Sequence, residues 1–136
     1  MKKQKATPSK IKELLSEILE ETVKEFKVTK EEILDHKNQE DSVRQARLAA
    51  VFAAITLNFL KEDIAKAYNY PSGKAVTNDY EKAKELSKEI IEFDGVAWAI
   101  YAKFHEQAEE VLNKFNRLYT RAPDETPENE IPTPSV

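Results

Sequence analysis

An all-helical bundle is the fold class this sequence predicts, and three observations carry the prediction. Only two glycines occur in 136 residues. Alanine, leucine, lysine and glutamate, all good helix formers, come in runs whose apolar positions recur at intervals of three and four residues, the period of a helix face. The length suits one domain with a real core and flanking tails rather than two domains.

The opening "MKKQKAT" reads as a flexible basic arm over residues 1–8. In "TPSKIKELLSEILEETVKEF", Thr7 is an expected N-cap and Pro8 an expected first helical residue. Ile11, Leu14, Leu15, Ile18, Leu19, Thr22, Val23 and Phe26 then form one apolar stripe. A second start follows in "VTKEEIL", where Thr29 and Glu32 make a capping box, each side chain satisfying the other residue's backbone N–H. "HKNQED" is a polar break. The next segment, "SVRQARLAAVFAAITLNFL", places Val43, Ala46, Ala50, Val51, Ala54, Ile55 and Leu57 on more than one face, so it is expected at the centre of the bundle. "KEDIAKAYNY" turns Ile64, Ala65 and Tyr68 inward, and "YPSG" is expected to stop it. A further helix carries Val76, Tyr80, Ala83, Leu86 or Ser87, Ile90 and Phe93. Asp94 and Gly95 interrupt the pattern, which divides a 9–93 domain from a 94–121 C-terminal helix. That last helix lines up Ala97, Ile100, Tyr101, Phe104, Ala108, Val111, Leu112, Phe115, Leu118 and Tyr119, a face that must pack on the domain or on another subunit. Residues 122–136, with four prolines and four acids, are expected to be a disordered tail. No internal repeat is present.

The net charge is −4 at pH 7. Asp124, Glu125, Glu128 and Glu130 account for all of it, leaving residues 1–122 balanced, with a local excess of lysine over the first thirty. A dedicated DNA-binding domain has a basic footprint; here it is mild. With no cysteine there are no disulfides and no thiolate metal sites. No signal-peptide pattern and no apolar run near the length of a membrane span is seen, so the chain reads as cytoplasmic with no membrane partner.

The order of these elements carries more than any one of them. Residues 18–34, "ILEETVKEFKVTKEEIL", followed by "SVRQARLAAVFAAITLNFLKEDIAKAY", resemble the C-terminal DNA-binding domain of the bacterial chromosomal replication initiators of the DnaA family. The resemblance spans residues 11–88 and implies a helix-turn-helix with an added C-terminal helix. Thr22, Phe26, Lys27, Val28, Ile33 and Leu34 correspond to the family's opening segment. Arg47 corresponds to an arginine at the start of the long helix, which implies a DNA contact. Asp63, Ile64, Ala67 and Tyr68 correspond to the first helix of the helix-turn-helix, and Val76 to a buried anchor of the recognition helix. Where the family has a basic loop this chain has "DHKNQED", and at the positions that read the initiator's own DNA box it has Pro71, Ser72, Gly73, Lys74 and Ala75. That box specificity is not carried over. No G-x-x-x-x-G-K-[ST] motif occurs, so the resemblance is to the DNA-binding domain without the ATPase module.

The residues expected to touch duplex DNA are Ser72, Lys74, Thr77 and Asn78 at the start of the second helix, with Lys82, Arg44 and Arg47 on phosphates. Asparagine suits adenine. Each of them is also an ordinary solvated helix residue; the resemblance is what sets them apart. His105 and Glu109 have the i, i+4 spacing of a helical metal pair, but glutamate is common along that helix and a solvated face explains them. Trp98 reads as a core or interface anchor rather than a stacking platform. No catalytic constellation is seen, so the expectation is a non-enzymatic protein with no cofactor, acting in replication or transcription regulation in a bacterium, phage or mobile element. The competing expectation is a protein–protein adapter, or a homodimer, using the apolar 95–119 helix.

Overall fold

In the computed structural model, residues 9–114 are described. The proposed basic arm, the Thr7–Pro8 start, the 122–136 tail and the last residues of the C-terminal helix, Phe115, Leu118 and Tyr119 among them, lie outside that range. The described residues form six helices and no strand: α1 (Ser9–Phe26), α2 (Lys30–Leu34), α3 (Asp41–Thr56), α4 (Lys61–Ala67), α5 (Gly73–Glu89) and α6 (Ile91–Lys114). The protein is an all-α helical bundle.

Burial follows the apolar spacing. Ile11, Leu14, Leu15, Ile18 and Leu19 of α1 are buried, and Thr22 lies among them by donating its hydroxyl to Ile18 O at 2.8 Å. The capping box forms at α2, with Glu32 N donating to Thr29 Oγ1 at 3.1 Å and Thr29 N donating to Glu32 Oε1 at 2.9 Å. Helix α3 is central and packs against each of the other five helices. From Ala46 to Ala54 none of its residues is exposed, and alanine at five of those nine positions is what permits the close approach on every side. The main core draws on all six helices, Ile33 coming from α2 and Val76 from α5. A smaller cluster of Leu48, Ala49, Phe52, Ala83, Phe93 and Ala97 joins α3, α5 and α6.

Three helix ends share one device. Lys27, Asn58 and Asn69 have φ of 59°, 79° and 66°, in the left-handed region. Behind each, the next residue's N–H reaches back five positions: Val28 to Val23 O at 3.2 Å, Phe59 to Ala54 O at 3.1 Å and Tyr70 to Ala65 O at 2.9 Å. This is the Schellman stop, and it satisfies carbonyls the helix leaves free. Helix α4 therefore stops at Ala67, with Asn69 in the left-handed region, before Pro71 is reached. Gly73, expected to help stop it, is instead the first residue of α5, where the Ser72 hydroxyl accepts from Ala75 N at 3.3 Å.

The break expected at Asp94 and Gly95 falls earlier. Ile90 is extended (φ −121°, ψ 107°) and alone separates α5 from α6, and Gly95 lies inside α6. The extended residue turns Phe93 and Ala97 onto α3 to form the smaller cluster, and the Ser87 hydroxyl hydrogen-bonds Asp94 across the joint. Phe93, Ala97, Ile100, Phe104, Ala108 and Leu112 of α6 are all buried against α1, α3 and α5. The apolar face that looked long enough for a partner is largely consumed by the chain's own core.

Candidate nucleic-acid interface

Helix α4, the turn Tyr68–Ser72 and helix α5 form a helix-turn-helix sequence of elements in which α4 and α5 pack together. Aromatic side chains hold the turn. Tyr68 is buried and donates to Leu15 O at 2.7 Å, tying the turn to α1. Tyr70 donates to Asp79 Oδ2 at 2.6 Å, tying it to α5. Burial pushes both phenols far above the ordinary tyrosine range, and for Tyr70 the Asp79 carboxylate adds to the effect. Asn69 Nδ2 donates to Leu34 O at 2.9 Å, and His36 Nε2 meets Tyr68 O at 2.9 Å, so the α2–α3 loop is fastened to the same turn.

Beside these ties lies a half-open cavity of about 350 Å³, walled by His36 and Gln39 of the loop, Arg44, Arg47 and Leu48 of α3, Tyr70 and Pro71 of the turn, and Ala75, Asn78, Asp79 and Lys82 of α5. Four of the seven residues expected to touch DNA therefore converge: Arg44, Arg47, Asn78 and Lys82. The other three do not line it. Ser72 caps α5 with its hydroxyl. Thr77 donates to Gly73 O of its own helix at 3.2 Å. Lys74 is exposed on α5.

Arg47, which also lines the cavity, is built into the α2–α3 loop. It is 3% exposed, and its Nε donates to Ile33 O at 2.8 Å while Nη2 reaches Asp35 O at 2.9 Å, Asn38 O at 3.2 Å and Glu32 O at 3.3 Å. A guanidinium has donors enough for such a set; an ammonium does not. The loop thus wraps its carbonyls around Arg47 and leaves its acids outward: Asp35, Glu40 and Asp41 are exposed and none lines the cavity. "DHKNQED" is less repulsive to phosphate than its composition suggests.

Sequence reasoning missed His36, Gln39, Tyr70 and Asp79. The i, i+3, i+4, i+7 run of Ala75, Asn78, Asp79 and Lys82 on α5 would have found Asp79. Nothing in the local sequence marks His36, whose partner Tyr68 lies 32 residues away. Elsewhere, Trp98 is 45% exposed and edge-on to Phe52 and Tyr101, with ring centroids 6.1 and 5.3 Å away. His105 stacks on Tyr101 at 5.5 Å. Among the described residues no group of three or more His, Cys, Asp or Glu could hold a metal ion, and no helix is long and apolar enough to cross a membrane. Comparison of the chain with protein-family models, with curated proteins and with solved structures finds no match.

Proposed function

We propose that this chain is a non-enzymatic DNA-binding protein, related in design to the initiator DNA-binding domains it resembles, that sets α5 against the major groove of duplex DNA in replication or transcription control. The observation that carries the reading is the convergence of Arg44, Asn78 and Lys82 beside the first turns of α5. The opening turns of a recognition helix are where side chains meet base edges, and flanking cations fix the helix on phosphates. Arg44 and Lys82 serve as the phosphate contacts, with Lys74 on the same helix, and Asn78 is the candidate for adenine. Arg47 acts beneath them by holding the loop in shape.

The test is binding to random duplex DNA as salt is raised. Affinity should fall steeply, and each of Arg44→Gln and Lys82→Gln should reduce the slope of log K against log salt by roughly 0.9. No binding at low salt overturns the reading. In that case the adapter reading stands in its place, supported by two large apolar side chains left in water on α6, Ile91 at 85% and Trp98 at 45% exposure.

A further inference from the structure

We infer that the cavity between the α2–α3 loop, the start of α3 and α5 is a phosphomonoester pocket, taking the terminal phosphate of a nucleotide either free or at a DNA 5′ end. The nucleic-acid source of that phosphate rests on the DNA-binding reading; the chemistry of the pocket does not.

Charge is the first argument. Arg44, Arg47 and Lys82 face one carboxylate in the lining, Asp79. That carboxylate is already engaged, accepting from Tyr70 at 2.6 Å and lying 4.0 Å from Lys82 Nζ. Burial is the second. Arg47 is more than nine-tenths buried, yet among the described residues no carboxylate lies within 4.0 Å of it or of Arg44. Its hydrogen bonds go to four neutral carbonyls through Nε and Nη2, and Nη1 takes no part in them. A buried charge ordinarily has a counter-charge; an anion in the adjoining cavity supplies one.

Size and valence narrow the ligand. At about 350 Å³ the cavity is at the lower end of small-molecule sites, which suits a mononucleotide. A phosphomonoester carries nearly two negative charges and three accepting oxygens, matching converging guanidinium and ammonium groups. An internal phosphodiester carries one charge, so the same cations that meet duplex phosphates hold a terminal phosphate more strongly. The amides of Asn78 and Gln39 are left to meet the rest of the nucleotide.

Calorimetric titration of the full chain tests this with dAMP, deoxyadenosine and inorganic phosphate. The expected result is binding of dAMP and phosphate, none of deoxyadenosine, and at least tenfold weaker dAMP binding in Arg44→Gln and in Lys82→Gln. Both side chains reach solvent, so these variants should fold, and unchanged melting curves check it. Lys10→Ala, an exposed lysine on α1 outside the cavity, should leave dAMP binding intact. Equal binding of dAMP and deoxyadenosine, no binding of either, or undiminished dAMP binding in the Arg44→Gln, Lys82→Gln double variant overturns the pocket. Given dAMP binding, a duplex with 5′ phosphates that binds tighter than the same duplex with 5′ hydroxyls assigns the phosphate to DNA ends, and equal binding assigns it to free nucleotide. If dAMP binds while no duplex does, the pocket stands and the DNA reading falls.

Discussion

Single side chains decide the shape of the candidate site, and Arg47 decides most. Replacing it by alanine strands the carbonyls of Glu32, Ile33, Asp35 and Asn38 that it now satisfies. The expected cost is about 2–4 kcal/mol, read as a lower urea midpoint with faster hydrogen exchange over residues 35–40, and Arg47→Lys should rescue little of it. The family resemblance put Arg47 on DNA; its carbonyl partners lie 9 to 15 residues earlier in the chain, and only the folded loop brings them round it. Tyr68 makes a second test. Its phenol is held neutral by burial, whereas in the unfolded chain it ionises near pH ~10. A raised folded value means its contribution is fully present below about pH 10 and declines above it, by up to about 1.4 kcal/mol per pH unit. Tyr68→Phe should lose about 1 kcal/mol at neutral pH, through the missing bond to Leu15 O, and show a shallower loss of stability between pH ~10 and ~12.

Helices were legible because apolar periodicity needs no knowledge of partners: the stripe of α1, the capping box of α2 and the all-round burial of α3 are where the sequence puts them. Their ends were less so. Composition points to proline and glycine as stops, whereas the chain stops α1, α3 and α4 with Lys27, Asn58 and Asn69 in the left-handed region. Lys27 bears the steric cost of a Cβ there, so Lys27→Gly should stabilise the protein by up to about 1 kcal/mol. Gly95 is the converse case. It lies within α6 and a Cβ added to it would meet nothing within 4 Å. Gly95→Ala should raise stability by about 0.5–1 kcal/mol, seen as a higher Tm with unchanged DNA or dAMP binding.

Across the whole molecule α6 closes the bundle over α1 and α3, and an exposed tie marks the seam: Lys103 Nζ donates to Glu21 Oε1 at 2.9 Å. That hydrogen bond, with the nearby Lys103 and Lys24 charges, holds the Glu21 carboxyl below the usual glutamate range. A depressed value gives stability that is present above the unfolded pKa and lost as pH falls through the folded one. Glu21→Gln should therefore cost no more than about 1 kcal/mol at pH 7 and nothing once Glu21 is protonated in both the folded and the unfolded chain, a difference checked by paired melts across the acid range. Central α3 has a consequence of another kind. Its alanines are spacers, and any heavier residue at Ala46, Ala49, Ala50, Ala53 or Ala54 would push a neighbouring helix outward and strain the rest. Among descendants of this chain, α3 is thus the segment with the least room to drift, while the loop acids and the outer faces of α5 and α6 are free to vary. The bundle can change what it meets without changing how it is built.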